Sequence, residues 1–215
     1  DGRMTEPAAS CRAATEDDRH AISHLFGPRG ASGGCWCMHW RVEHGGKMWQ
    51  ACKGEPNRRS FFKLLRQGRA QGALAFAGDK PVGWCNFGPI EEFPRIRRSR
   101  VLGHQTAPGT WSINCFFIAP GWRRRGIAGG LLKAAVATAY ARGARILEAY
   151  PTPQKSDQTL VAAFTWTGTR SLFAKAGFKP SADNARVWVK PSPSVTPAKP
   201  RSDASRDPLV QRTSG

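Results

Sequence analysis

Residues 113–132 read Ile113-Asn114-Cys115-Phe116-Phe117-Ile118-Ala119-Pro120-Gly121-Trp122-Arg123-Arg124-Arg125-Gly126-Ile127-Ala128-Gly129-Gly130-Leu131-Leu132. The first half continues an apolar run from Thr110 to Ala119, the pattern of a strand buried on both faces. Pro120 ends the run and Gly121 turns the chain. A helix opens near Gly126, with Ile127, Leu131, Leu132, Ala135 and Val136 on its inward side. Such a strand–turn–helix junction collects backbone N–H groups at the positive end of a helix, which is a seat for phosphate. Gly126 and Ala128 keep the surface low there, and Arg123, Arg124 and Arg125 add charge. No Gly-Lys-Ser/Thr follows, and no GxGxxG is present. The expected phosphate ligand is therefore neither a nucleoside triphosphate nor a nicotinamide dinucleotide.

Upstream, Gly72–Ala77 and Pro81–Phe87 flank Gly78-Asp79 as a hairpin. Cys11–Ala14 reads as a first strand. Thr15-Glu16-Asp17-Asp18 reads as the start of a helix with Ile22, Leu25 and Phe26 inward. Asn57 is placed as the cap of a helix running through Phe61, Phe62, Leu64 and Leu65. Residues 89–109 form a long, basic, proline-punctuated loop with room for one helical turn. Downstream, the helix from Gly126 runs to Arg142 and is closed by Gly143. A strand at Arg145–Tyr150, a helix at Thr169–Ala176 and a last strand at Arg186–Val189 follow. This order predicts an α/β fold with a mixed, mostly antiparallel central sheet flanked by helices.

The pattern Arg/Gln-x-x-Gly-x-Gly/Ala, met by Arg123, Gly126 and Ala128, resembles the acyl-CoA-binding motif of the GNAT acetyltransferase superfamily. Ser171–Phe178 (SLFAKAGF) is similar to that family's closing helix, and Pro81-Val82-Gly83-Trp84 to its second and third strands. The resemblance covers roughly residues 10–190. It implies a GNAT-like fold with acetyl-CoA as acyl-donor co-substrate. The strand at Phe116, Phe117 and Ile118 would pair with the pantetheine arm, and an N–H near Ile118 would polarise the thioester carbonyl. Amides from Arg124 to Gly129 would hold the pyrophosphate, with Arg123, Arg125, Gly126, Ile127 and Ala128 forming the turn. A primary amine would then attack the thioester directly in a ternary complex, aided by a base and an acid.

The usual acid and base are missing. Phe173, counted among the cofactor-binding positions, stands where many relatives carry a Tyr, and Trp166 stands where an Asn is frequent. Ser112 occupies the place of a catalytic Glu found in some members. The remaining catalytic candidates are Glu148 and Tyr150 on one face of the following strand, and Asn114 and Ser112 on one face of the central strand. Cys115 has the opposite parity and is read as core; only a cleft-facing thiol of depressed pKa would make it a nucleophile.

Cys35–Arg41 (CWCMHWR) is placed on a helix. Trp36 and Trp40, with Trp84 and Asn86 from the hairpin, are expected to line the acceptor pocket. Cys35, Cys37, His39, His44 and Cys52 also invite a zinc reading. Cys-x-Cys departs from the ligand spacing of common structural zinc sites and no second Cys pair follows, so no metal is assigned.

The chain of 215 residues carries a formal net charge of +18, contributed mostly by arginine. Such a field suits a polyanionic ligand such as CoA and disfavours a polycationic acceptor such as an aminoglycoside. The expected acceptor is a small-molecule amine. A macromolecular amine, with the Arg95-Ile96-Arg97-Arg98-Ser99-Arg100 cluster touching nucleic acid, is the alternative, and a non-catalytic CoA-binding or nucleic-acid-binding module is the third reading. Residues 1–9 are read as a flexible flank in which Met4 is the natural start, 10–190 as the acetyltransferase domain, and 191–215 as a disordered basic tail. No apolar run approaches the roughly 20 residues of a membrane span. No signal peptide is recognised, and the six cysteines form no disulfide framework, so a cytoplasmic protein with reduced thiols is expected. The oligomeric state is left open.

Overall fold

The computed structural model describes residues 9–43, 46–153 and 166–193. Strands β1 (Ser10–Ala13), β2 (Gln71–Ala77), β3 (Lys80–Pro89), β4 (Thr110–Ile118), β5 (Ile146–Ala149), β6 (Lys179–Pro180) and β7 (Trp188–Pro191) form one sheet in the order β1-β2-β3-β4-β5-β7-β6. Only β4 and β5 run parallel, as strands joined by a helical crossover must. That crossover is α5 (Ile127–Ala141). The other helices are α1 (Arg19–Phe26), α2 (Gly46–Cys52), α3 (Glu55–Arg66), α4 (Pro94–Arg97) and α6 (Arg170–Lys175).

Alternation along the strands divides the core in two. On one face Ala73, Ala75, Cys85, Phe87 and Ile113 pack under Ile127, Leu131, Leu132 and Ala135 of α5. On the other, Leu74 and Trp84 pack under α1 and α3 through Ile22, Phe26, Phe61 and Phe62. Gly83 permits the close approach of α5, since a Cβ there would lie 3.0 Å from both Ile127 and Leu131. A smaller cluster of Ile90, Phe93, Ile96, Tyr150 and Val187 closes the far end.

The structure departs from the sequence reading in several places, the unforeseen helix α2 among them. Cys35–Arg41 is a series of turns, not a helix, because Trp36 (φ 46°) and Cys37 (φ 51°) both adopt the left-handed conformation. Asn57 does not cap α3; Gly54 does. Asn57 lies inside the helix, where its side-chain amide donates to the Gly34 carbonyl at 3.1 Å and ties α3 to the glycine-rich loop. The short β6 was not foreseen. Finally, β3 pairs Asn86 with Cys115 but Phe87 with Ile113, leaving Asn114 as an extra residue in β4. This bulge reverses the alternation, so that Ile113 and Phe116 face α5 while Cys115 and Phe117 face α1 and α3. Residues 1–8, residues 194–215 of the expected tail, and His44 lie outside the described residues.

Trp84 is completely buried against Phe26 and Phe61, with its ring over Gly72, where an added Cβ would overlap it. Gly72→Ala is therefore expected to destabilise the fold by about 1–3 kcal/mol, the usual range for overpacking a rigid core. Urea unfolding of the two proteins measures this; an unchanged midpoint would show that the indole moves aside freely.

Candidate active site

The β4–β5 register begins at Thr110↔Ile146 and ends at Ile113↔Ala149. From Asn114 onward this edge of β4 therefore has no strand beside it, and single groups reach it instead. The Trp40 indole N–H donates to the Asn114 carbonyl at 3.2 Å, the Phe116 N–H donates to the Trp166 carbonyl at 2.6 Å, and Arg123 Nε donates to the Ile118 carbonyl at 3.2 Å. A cleft of about 1450 Å³ passes through the gap. At one end it is lined by Arg123–Gly129 at the start of α5 and by Gly168, Thr169, Ser171, Leu172 and Lys175. Its middle is Cys115, Phe116, Phe117, Ile118 and Trp166, and its other end is Cys35, Cys37, His39, Trp49 and Lys53.

The start of α5 is a tight turn in which Arg124 (φ 61°) and Gly126 (φ 78°) are left-handed. Glycine suits that conformation, and the space beside its Cα is open. Gly129 N–H already donates to the Gly126 carbonyl at 3.0 Å, so the amides available to an anion precede Gly129. The Arg125 guanidinium stacks over Trp122 at 4.8 Å, while Arg123 is anchored to the end of β4.

At the opposite end, the His39 ring lies edge-on among Trp40, Trp49 and Trp166, with centroids 4.7, 5.3 and 5.4 Å away. Burial pushes its pKa down to about 4, assisted by the charges of Arg95 and Lys53. The imidazole is neutral at neutral pH. Arg95 Nη1 lies 3.4 Å from His39 Nδ1. A guanidinium only donates, so Nδ1 is the acceptor and the ring proton sits on Nε2. His39 is thus an N–H donor at the cleft, a role that its place in the sequence did not signal. Trp49, Lys53 and Arg95 were likewise not singled out for the pocket.

The structure gathers the four catalytic candidates, but beneath the cleft. Asn86 Nδ2 donates to Asn114 Oδ1 (2.8 Å), and Asn114 Nδ2 donates to Ser112 Oγ (3.1 Å). Ser112 bonds to the Tyr150 phenol, and Tyr150 donates to Glu148 Oε2 at 3.2 Å. His104 Nε2 completes the chain at 3.0 Å from Glu148 Oε1. Burial, and secondarily the Glu148 charge, hold the Tyr150 pKa well above its ordinary value. Burial pulls His104 down, but the Leu102 carbonyl and Glu148 outweigh it and the net shift is upward. None of these side chains lines the cleft. Trp36 and Trp84 lie in the core rather than at an acceptor pocket, and Asn86 is fully buried. Trp40 does not line the cleft but packs against two residues that do, its ring tilted at 33° to Trp166 and edge-on to His39. Phe173 is fully buried between Phe116 and Phe178, not at the cofactor surface. Within the arginine cluster, Arg95 faces His39 and Arg98 pairs with Glu43 at 3.3 Å. Among the described residues no group of three His, Cys, Asp or Glu side chains is placed to hold a metal ion, and no helix is long and apolar enough to cross a membrane.

A sheet parted beside a parallel crossover, with a basic helix start at one mouth of the gap, defines an acyl-coenzyme transferase. The chain belongs to the acetyltransferase (GNAT) family, whose sequence model matches residues 37–164, more than half of its length. It is a GNAT-type N-acetyltransferase with acetyl-CoA as co-substrate. No curated protein sequence matches the chain. Similar solved structures include an N-acetyltransferase from Staphylococcus aureus Mu50, at 16% identity over 86% of this chain and 98% of that one, with TM-score 0.47. PaiA N-acetyltransferase from Thermoplasma acidophilum, solved with coenzyme A, is 13% identical over 85% and 96%, with TM-score 0.47. A ribosomal-protein-S5-alanine acetyltransferase from Vibrio fischeri is 11% identical over 88% and 96%, with TM-score 0.49. The family assignment rests on the sequence model and not on these likenesses.

Glu148 is 4% exposed in its side chain and His104 17%. Removing the imidazole leaves the carboxylate buried with Tyr150 as its remaining donor. His104→Ala is expected to cost roughly 3 kcal/mol near pH 6, and His104→Ala/Glu148→Gln to recover most of it. The raised pKa fixes the sign: the charged pair contributes below the unfolded histidine value of about 6.5, and the contribution fades as pH rises through the higher folded value. Denaturant unfolding across this range tests the point. A single-variant deficit that grows with pH would contradict it.

Proposed function

We propose that the enzyme acetylates the primary amine of a small molecule, by direct attack on acetyl-CoA in a ternary complex. The observation that carries this reading is the single cleft running through the β4–β5 gap, from a basic helix start to an aromatic chamber. Amides of Arg124–Ala128 hold the pyrophosphate with help from the arginines. The pantetheine arm runs along Phe116–Ile118, displacing the Trp166 carbonyl from the Phe116 N–H, and the Ile118 N–H polarises the thioester. Among the described residues no tyrosine lines the cleft to serve as the acid: Tyr150 is buried away from it and Phe173 stands in the usual place.

The chamber selects the acceptor. Trp49 and Trp166, the latter backed by Trp40, offer apolar area, while Lys53 and the Arg95-held His39 offer positive charge and an N–H donor. A compact amine with an apolar body and an anionic or neutral polar group fits this set. The same charges disfavour an ammonium, so the acceptor binds as the free amine that the reaction requires. Lost protons go to water, and Glu148, Tyr150, Asn114 and Ser112 act by positioning the bulge rather than by taking the proton. Six free cysteines support a reducing, cytoplasmic setting.

Calorimetry with acetyl-CoA tests the coenzyme seat. Gly126→Ala should bear only the left-handed strain of about 1–2 kcal/mol and still bind. Gly126→Glu should weaken binding by tenfold or more, about 1.4 kcal/mol. Equal binding by the two variants would move the seat elsewhere. The pH profile tests the chamber. With His39 neutral above about 4, kcat/KM should rise towards the pKa of the acceptor amine without a histidine break. A break near the ordinary imidazole value of about 6.5 that vanishes in His39→Gln would make His39 the base instead.

A further inference from the structure

A second cavity, of about 730 Å³, shares no lining residue with the cleft. Its size is that of a small-ligand site. Four arginines line it, Arg41, Arg69, Arg97 and Arg98, against three glutamates, Glu43, Glu91 and Glu92. One positive charge is therefore in excess. His104 lines it too, but the Leu102 carbonyl and Glu148 take both ring nitrogens at 3.0 Å each. Any charge on His104 is thus met by Glu148, which lies outside the cavity wall.

The negative charge is unevenly shared. Glu43 pairs with Arg98 at 3.3 Å. Glu92 answers two guanidiniums at once, and its Oε2 accepts from both Arg69 Nη2 at 3.1 Å and Arg41 Nη1 at 3.2 Å. Its Oε1 accepts from Arg69 Nε at 2.8 Å. The Arg41 side chain is 2% exposed and stacks on Phe93. Among the described residues its Nε and Nη2, which together form one fork of the planar group, have no partner. Buried donors of a charged group are ordinarily bonded, so this fork marks a place where negative charge is short. Burial pushes the Arg41 pKa down to about 10, with Glu92 opposing, and the group is still charged at neutral pH. Arg97 is exposed, and its guanidinium has no partner among the described residues.

We propose that this cavity is a second ligand site, for a small organic monocarboxylate held by Arg69 and Arg97. Both guanidiniums present the forked donors that a carboxylate matches. A ligand carboxylate that takes over Arg69 frees Glu92 to serve Arg41 alone, so the ligand answers the buried charge without having to reach it. The single excess charge suits one carboxylate. Glu43, Glu91 and Glu92 oppose an extended polyanion such as nucleic acid. Gln105 and Thr106 offer polar side chains to a hydroxyl or carbonyl of the ligand, and Met38 and Leu64 offer apolar contact. The site stands independently of the coenzyme seat, since the two have no residue in common.

The test is an NMR titration of the ¹⁵N-labelled full chain with lactate, and with lactamide, its neutral counterpart, at equal ionic strength. Lactate is expected to shift amides among residues 91–98 and 104–106, and lactamide to leave them unchanged. Arg69→Gln and Arg97→Gln should each weaken lactate binding about tenfold, the usual loss for one hydrogen bond to a charged group. Arg41→Met should weaken it as well, because Glu92 is then released to Arg69. If that variant does not fold, the two exposed variants decide. Gly126→Glu should bind lactate like the wild type. Shifts confined to residues 124–129, or lost in Gly126→Glu, would place the carboxylate at the start of α5 and overturn the proposal. An absent response, an equal response to lactamide, or unchanged affinity in Arg69→Gln and Arg97→Gln would overturn it too.

Discussion

Asn114 is one residue too many for the ladder between β3 and β4, and the rest of the site depends on how that excess is absorbed. The slip turns Cys115 and Phe117 towards α1 and α3 and leaves Phe116 against α5. It falls where β5 stops pairing, so the two sides of the sheet communicate at this level. Without the slip, Cys115 would keep the parity of Ile113 and face α5. A bulge next to a working site is a common means of re-aiming a few side chains without altering the fold around them.

Holding a bulge inside a sheet requires polar partners where the core is otherwise apolar, and the chain supplies them as a directed series. Each donor from Asn86 through Asn114, Ser112 and Tyr150 points towards Glu148, and His104 meets that carboxylate from the other side. Bonds arranged head to tail strengthen one another in a low-dielectric interior. The same interior makes each member expensive to remove. This explains why Glu148 and Tyr150 look like catalytic residues by type and strand position yet sit out of reach of the cleft. Their chemistry is spent on geometry.

The sheet, the crossover helix and the turn that opens it were legible in the sequence because each rests on local pattern: the unbroken apolar run at Thr110–Ala119, the turn at Pro120-Gly121, and the helical spacing of Ile127, Leu131 and Ala135. The acceptor side was not legible. Trp36 and Trp84 are large aromatics near the right elements, but strand parity and the fit of the Trp84 ring over Gly72 put them in the core. The left-handed pair at Trp36-Cys37 has no sequence signal, since neither residue is glycine or asparagine. His104 lies within a loop whose composition is simply basic, and its partnership with Glu148 spans forty-four positions that only the fold closes. A one-residue slip at Asn114 likewise leaves no trace in hydrophobic pattern, which is why Cys115 reads as core from its spacing alone.

The aromatic chamber also bears on how an amine would be kept reactive beside a cleft where the described residues place no carboxylate. A positive residue near an amine raises the free energy of the ammonium and leaves the neutral form almost untouched. Lys53 and Arg95 already show this on a neighbour, since their charges help to hold His39 neutral. An acceptor placed beside them experiences the same field. The arrangement therefore trades affinity for the abundant protonated acceptor against readiness of the bound one to react. The trade is favourable only if other contacts hold the substrate, and in the proposed reading the indoles and the His39 N–H provide them. On the proposed reading, a cationic chamber with apolar walls would be selective in a particular sense: it would favour amines that bring an apolar body or an anion of their own over those that bring only more positive charge.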